Sequence, residues 1–245
     1  MADHILKHRF HGRRKGKTLT SYRQSLLDDE LENYLVPSPI PAKIFDENLA
    51  SLPSPLRERE GTTDRWEGEG NPTWLEIGFG NGEFISAMAQ KNPDINFIGC
   101  EPFMNGVAAL LSSIEKPIDN LKIWPDDARI LMDDIPDGSL DRVYLLNPDP
   151  WRKARHEKRR FIQQENLDQI SRILKPNGLF TMSTDVPDLA DYMFDKTNAH
   201  DDYEWVDTTE DDKLTPPTDW PIDKTRYMKK ALGGEDIYWL KFKKK

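Results

Sequence analysis

Leu75-Glu76-Ile77-Gly78-Phe79-Gly80-Asn81-Gly82-Glu83 is the stretch on which the fold turns. A short apolar run enters a turn with three glycines and an amphipathic segment follows, the pattern of a strand, a tight loop and a helix. Glycine lets the backbone turn sharply and lets a ligand approach, because no Cβ stands in the way. Outward from this point, short apolar runs alternate with amphipathic stretches from residue 73 onward, the signature of a parallel sheet wrapped by helices. Strands are expected at 74–77, 96–100, 121–124, 140–146 and 179–183, with an antiparallel pair near 203–207 and 237–242. Helices fit 83–91, 104–114, 128–132, 160–174 and 188–196. In the fourth, Phe161, Ile162, Ile170, Ile173 and Leu174 fall mainly on one face and read as core. The fold class is therefore α/β, a mostly parallel seven-stranded sheet with helices on both faces.

The spacing of the glycines discriminates between ligands. A dinucleotide turn reads G-x-G-x-x-G and aims a helix N-terminus at a pyrophosphate, whereas here the third glycine comes one residue early and Glu83 follows it. An acid there suits a diphosphate poorly. S-adenosylmethionine has no phosphate and carries a sulfonium and an ammonium, so an acid at Glu76 attracts it. The open turn at Gly78 and Gly80 suits the same cofactor. The next strand ends in Glu101, nineteen residues beyond Gly82, where a carboxylate can accept two hydrogen bonds from a ribose diol. After the third strand, Asp127 in Pro125-Asp126-Asp127-Ala128 either contacts an adenine edge or caps the following helix.

The fourth strand runs into Asn147-Pro148-Asp149-Pro150-Trp151, at the carboxyl edge of the sheet where open α/β folds bind ligands. The prolines fix the backbone around Asp149 and can hold its side chain in one orientation toward a substrate. Six cations then crowd into nine residues, Arg152-Lys153-Ala154-Arg155-His156-Glu157-Lys158-Arg159-Arg160, beside the expected site, which suits phosphate binding.

The 245 residues carry a net charge of −9, which argues against a nucleic-acid partner only if charge is spread evenly. It is not. Bases crowd into residues 8–23, 152–160 and 241–245, and acids into 126–141 and 201–212, so a local cationic groove on an acidic body is expected. The single cysteine, Cys100, has no partner for an internal disulfide and reads as a buried strand residue. No apolar run of about eighteen residues exists and the basic N-terminus lacks a secretory apolar stretch, so no membrane span and a cytoplasmic location are expected. No metal site is called for. Three segments are expected: a peripheral basic arm with a short helix near 21–29 over 1–46, a loop or insertion over 47–72, and one domain over 73–245.

The joined pattern P-D-P-W-x-K-x-R-H-x-K-R-R at 148–160, with the glycine turn at 75–82, resembles the bacterial tRNA (guanine-N7)-methyltransferases. The similarity runs from Trp74 to the C-terminus, with echoes in the arm at His11-Gly12-Arg13-Arg14-Lys15-Gly16, and residues 47–71 match least. The resemblance implies a Rossmann-like, S-adenosylmethionine-dependent methyltransferase fold and formation of 7-methylguanosine at guanine 46 of the tRNA variable loop. It implies that Glu76, Glu101 and Asp127 contact the cofactor, that Asp149 is catalytic, and that Lys153 and Asp185 bind substrate. The family's C-terminal substrate motif, usually Thr-Lys/Arg-Phe/Tyr-Glu, is here Thr225-Arg226-Tyr227-Met228, which keeps Thr225 and Arg226 and lacks the glutamate. Asn147 also departs, since an aromatic is common there.

Guanine N7 has a free in-plane lone pair, so its methylation needs no general base, and in-line placement supplies much of the rate. Asp149 either stabilises the charge developing on the base or grips its N1 and N2 hydrogens. Two rival readings stand beside this one. Asn147-Pro148 is similar to the motif of amino-group methyltransferases on adenine or glutamine, against which Asp149 and the basic tail count. A non-catalytic RNA-binding protein would explain Met228 but not the retained cofactor acids. The cations at 13–17 and 153–160 are expected to contact tRNA phosphates.

Overall fold

The computed structural model describes residues 10–37, 71–206, 213–221, 225–231 and 233–245. The segment 47–72 lies outside the described residues except for Asn71 and Pro72. Among the described residues seven strands form one sheet: β1 Thr73–Ile77, β2 Asn96–Cys100, β3 Leu121–Trp124, β4 Leu140–Leu146, β5 Leu174–Thr184, β6 Tyr203–Trp205 and β7 Tyr238–Lys244. Their order is β3-β2-β1-β4-β5-β7-β6, with β1 to β5 parallel and β7 antiparallel to both β5 and β6. The order reverses between β1 and β4, and in open α/β sheets the crevice outside the carboxyl ends of the strands at such a point is where ligands bind.

Seven α-helices follow among the described residues: α1 Ser21–Asp29, α2 Leu31–Tyr34, α3 Glu83–Lys91, α4 Met104–Ser113, α5 Ala128–Asp134, α6 Gln164–Ile173 and α7 Pro187–Asn198. The strands sort their side chains by alternation into two cores, one on each face. Leu75, Ile77, Val143 and Leu145 meet α5, α6 and α7 through Leu131, Ile170 and Met193. Trp74, Tyr144 and Leu146 point the other way, toward Ile85 and Met88 of α3 and Leu110 of α4. Cys100 is free and buried in the first core, and burial pushes its thiol well above the usual range, as befits a packing residue.

Two expectations are corrected. The segment 160–174 is not one helix: a 3-10 helix spans Ala154–Arg159, α6 starts only at Gln164, and Leu174 already pairs with Leu140 as the first residue of β5. Ile162 is core as expected and Phe161 packs partly buried against the same core, but the chain turns there, the Phe161 carbonyl accepting from Asn166 Nδ2 at 2.6 Å. An apolar face continues through such a turn, so periodicity alone does not mark the break. The arm is not peripheral either. Tyr34 and Val36 are buried, and Val36 N donates to Ile123 O at 3.0 Å, so the arm adds a bridge to the open edge of β3. Pairing that edge satisfies backbone groups otherwise left bare.

Candidate active site

A cleft of about 940 Å³ opens at the reversal point between β1 and β4. Its floor is the glycine turn. Gly78 and Gly80 have φ of +74° and +59°, and a Cβ on either would meet nothing within 4 Å, so both present bare backbone to the cleft. Gly78 N and Phe79 N donate to Cys100 O at 2.8 and 3.2 Å, tying the turn to the end of β2. The sequence reading missed Gly106, in the first turn of α4, where a Cβ would stand 2.2 Å from Gly80 O. A glycine inside a helical pattern is the signal for such a close approach.

Two buried acids flank the turn. Glu101 Oε2 accepts from Gly80 N at 2.7 Å and Oε1 from Phe103 N at 2.8 Å, so this carboxylate shapes the turn as well as lining the cleft. Burial raises its pKa, against the pull of those two amides. Glu76, 4% exposed at the end of β1, keeps Oε2 buried with no hydrogen-bond partner among the described residues. Burial first and the charge of Glu101 second push its carboxyl up to about 8, although a backbone hydrogen bond from Ile85 opposes them. An unpartnered buried carboxylate beside bare glycine backbone fits a ligand that brings a cation and hydroxyl donors, which is the chemistry of S-adenosylmethionine.

Asp127 also lines the cleft, and it is the helix cap: Oδ1 accepts from Arg129 N and Nε at 3.0 Å each, and Oδ2 from Arg129 Nη2 at 2.5 Å. Of the two alternatives left open by the sequence, capping is the one seen in its contacts.

The far wall is the turn after β4. Asn147 and Trp151 take left-handed φ of +49° and +42°, bracketing Pro148-Asp149-Pro150. Asp149 is exposed at the cleft mouth, where the surrounding walls raise its pKa and Arg13 of the arm lowers it. Arg159 lies over the Trp151 ring at 5.0 Å, while Arg160 Nε donates to Pro150 O at 3.1 Å and its guanidinium lies over Tyr192 at 4.4 Å. These two arginines therefore build the wall.

The remaining site expectations divide. Thr225 and Arg226 line the cleft, held there by Met228 N donating to Thr225 Oγ1 at 3.2 Å and by Arg226 N donating to Glu83 Oε2. Met228 is 2% exposed and packs in the second core, so this position faces inward and not into the cleft. Lys153 is exposed on the outer surface and Asp185 is buried, its Oδ2 accepting from Gly233 N at 2.7 Å; neither lines the cleft. Two further stretches line the cleft that the sequence placed near the substrate but not in the cofactor cleft itself: Tyr227, 41% exposed, and Phe10 to Arg13 of the arm. The arm is clasped there by Arg14 to Asp126 at 2.8 Å and by Gly16 N to Asn105 Oδ1 at 2.8 Å.

Residues 70–238 match the family described as "Putative methyltransferase". The tRNA (guanine-N(7)-)-methyltransferase of Roseobacter denitrificans is 40% identical over 245 residues, covering 99% of this chain and 99% of that relative. The tRNA (guanine-N(7)-)-methyltransferase of Azorhizobium caulinodans is 40% identical over 224 residues, 91% of this chain and 89% of the relative. Among solved structures, the 16S rRNA methyltransferase KamB shares 13% identity at a TM-score of 0.49, over 71% of this chain and 87% of that one.

Proposed function

Since the chain belongs to the bacterial tRNA (guanine-N7)-methyltransferase family, we propose that it transfers the methyl group of S-adenosylmethionine to N7 of a guanine in tRNA, in the cytoplasm, with guanine 46 of the variable loop as its target. The observation that carries the reading on the side of the structure is Glu76. Its buried, unpartnered oxygen beside the bare glycines calls for a cationic, phosphate-free ligand.

In this reading Glu76 faces the cofactor's positive charge, Glu101 accepts from its ribose while holding the turn, Gly78 and Gly80 give it room, and Asp127 closes the adenine end through its cap. Bound there, the cofactor supplies an electrophilic methyl on a sulfonium. Asp149 acts on the guanine side, where a carboxylate at the cleft mouth favours the positive charge that N7 alkylation places on the base. Thr225 and Arg226 take the nucleotide against the opposite wall, and Lys153 takes an RNA phosphate outside the cleft. Asp185 takes part in substrate binding from outside the cleft, through the loop whose Gly233 N its carboxylate holds. The relatives' names favour this over the amino-group and non-catalytic readings. Incubating unmodified tRNA with methyl-labelled cofactor tests it: label recovered as 7-methylguanosine in the variable-loop fragment is expected, and label in another fragment or no label contradicts the assignment.

A further inference from the structure

We propose that Asn147 is a second base-reading residue, whose carboxamide oxygen accepts a hydrogen bond from the 2-amino group of the target guanine. This rests on the reading that guanine in tRNA is the substrate. Asn147 is the first residue beyond β4, at the point where the strand order reverses, and its N donates to Ser183 O at 2.8 Å, which ties it to β5. It lines the same cleft as Asp149 and Glu76. Its Oδ1 is buried and has no hydrogen-bond partner among the described residues. Buried carbonyl oxygens are nearly always paired, so one left bare on a cleft wall marks where a ligand donor belongs.

The backbone carries the second argument. Asn147 has φ of +49° directly before Pro148. Asparagine visits the left-handed region more readily than most side chains, but a following proline steers its predecessor toward extended backbone. The surroundings hold this conformation against local preference, which is where functional strain is found. A left-handed turn alone would explain the choice of asparagine, yet it would leave the oxygen free to face solvent.

The chemistry selects the partner. The Watson–Crick edge of guanine offers three hydrogens, one on N1 and two on the 2-amino group, whereas at those two positions adenine has an acceptor at N1 and a C–H at C2, its amino group standing at C6 instead. A carboxylate takes N1–H and one amino hydrogen as a bidentate pair, and one amino hydrogen is left over. Asp149, two residues away, is the carboxylate and Asn147 Oδ1 is the acceptor for the remainder. Together they would admit guanine and refuse adenine before any methyl moves.

Single-turnover methylation of two tRNAs that carry guanosine or inosine at the target position isolates the 2-amino group, the only difference between them. Asn147→Gly keeps the left-handed backbone and deletes the carboxamide, while Asn147→Asp keeps an acceptor oxygen. Wild type should be about a hundredfold slower on inosine, which loses the Asp149 and Asn147 hydrogen bonds to the 2-amino group together. Asn147→Gly should be about tenfold slower on guanosine and unchanged on inosine, so that its preference falls to the about tenfold that Asp149 contributes, and Asn147→Asp should keep the full preference. Cofactor affinity should be equal in all three proteins. A guanosine preference that keeps its wild-type size in Asn147→Gly overturns the proposal, as does an equal loss on both substrates or a loss of cofactor affinity. Label arriving on the 2-amino nitrogen would make Asn147 the binder of a methylated amine and also overturns it. If wild type places no methyl on N7 of either tRNA, the functional reading itself fails, a result separate from all of these.

Discussion

Burial first and the charge of Glu101 second push the Glu76 carboxyl up to about 8, which favours its protonated form near neutral pH before a ligand binds. A cationic ligand favours the ionised form, so binding must expel that proton. Near pH 7, calorimetry in buffers of different ionisation enthalpy should show about one proton released per cofactor bound, and affinity should rise between about pH 6 and 8. Glu76→Gln should abolish the release and weaken binding; unchanged proton release in that variant would remove Glu76 from the site. The sign for stability runs the other way. In the empty protein a raised carboxyl contributes stability below its unfolded value near 4.5, and this is lost as the pH rises through about 8. Glu101→Ala should cost roughly 1.5–3 kcal/mol of cofactor affinity. It should also lower the melting temperature, since Gly80 N and Phe103 N lose their acceptor. Asp149→Ala should reduce turnover by about two to three orders of magnitude with cofactor affinity nearly intact. The placement of these acids around the cleft was legible because each lies at the end of a strand or sits between prolines, where sequence fixes direction. Asp185 was not: it also follows a strand, and only the packed loop shows that its carboxylate serves Gly233.

At the scale of elements, the cleft depends on α4 pressing against the glycine turn through Gly106. A methyl at Gly106 would stand 2.2 Å from Gly80 O, a backbone atom that cannot step aside cheaply. Gly106→Ala should therefore lower thermal stability and cofactor affinity together, on the scale of about 1–3 kcal/mol for overpacking. A variant that melts like wild type and binds normally would contradict this account of the turn. The same dependence explains what sequence could show. β2, β3 and β4 match their expected bounds because short apolar runs end at turn residues, and α3 does because Gly82 starts it and Asn92 ends it. β5 begins five residues early, since Leu174 joins β4 across an irregularity in which Asn177 takes φ of +64°. Pairing across a kink is a tertiary choice, and no local period records it.

The whole molecule sets acid and base apart. With a net charge of −9, general attraction to RNA is ruled out and any salt-sensitive binding must come from a localised patch. The structure sorts the cations that sequence could only count. Arg14, Arg159 and Arg160 are committed to Asp126, Trp151 and Pro150, whereas Lys153 and Lys158 stand exposed. Replacing Lys153 and Lys158 with Ala should weaken tRNA binding and flatten the slope of log affinity against log salt by about one to two units, without changing the melting temperature. Retained affinity and slope would move the RNA elsewhere. The methyl of the cofactor goes to N7 of a guanine in tRNA. Mass spectrometry of nucleosides from two tRNAs, one with guanosine and one with 7-deazaguanosine at the target, tests it most directly. Label from the cofactor should appear as 7-methylguanosine in the first and nowhere in the second; label in the deaza tRNA, or a guanosine methylated on another atom, would contradict it.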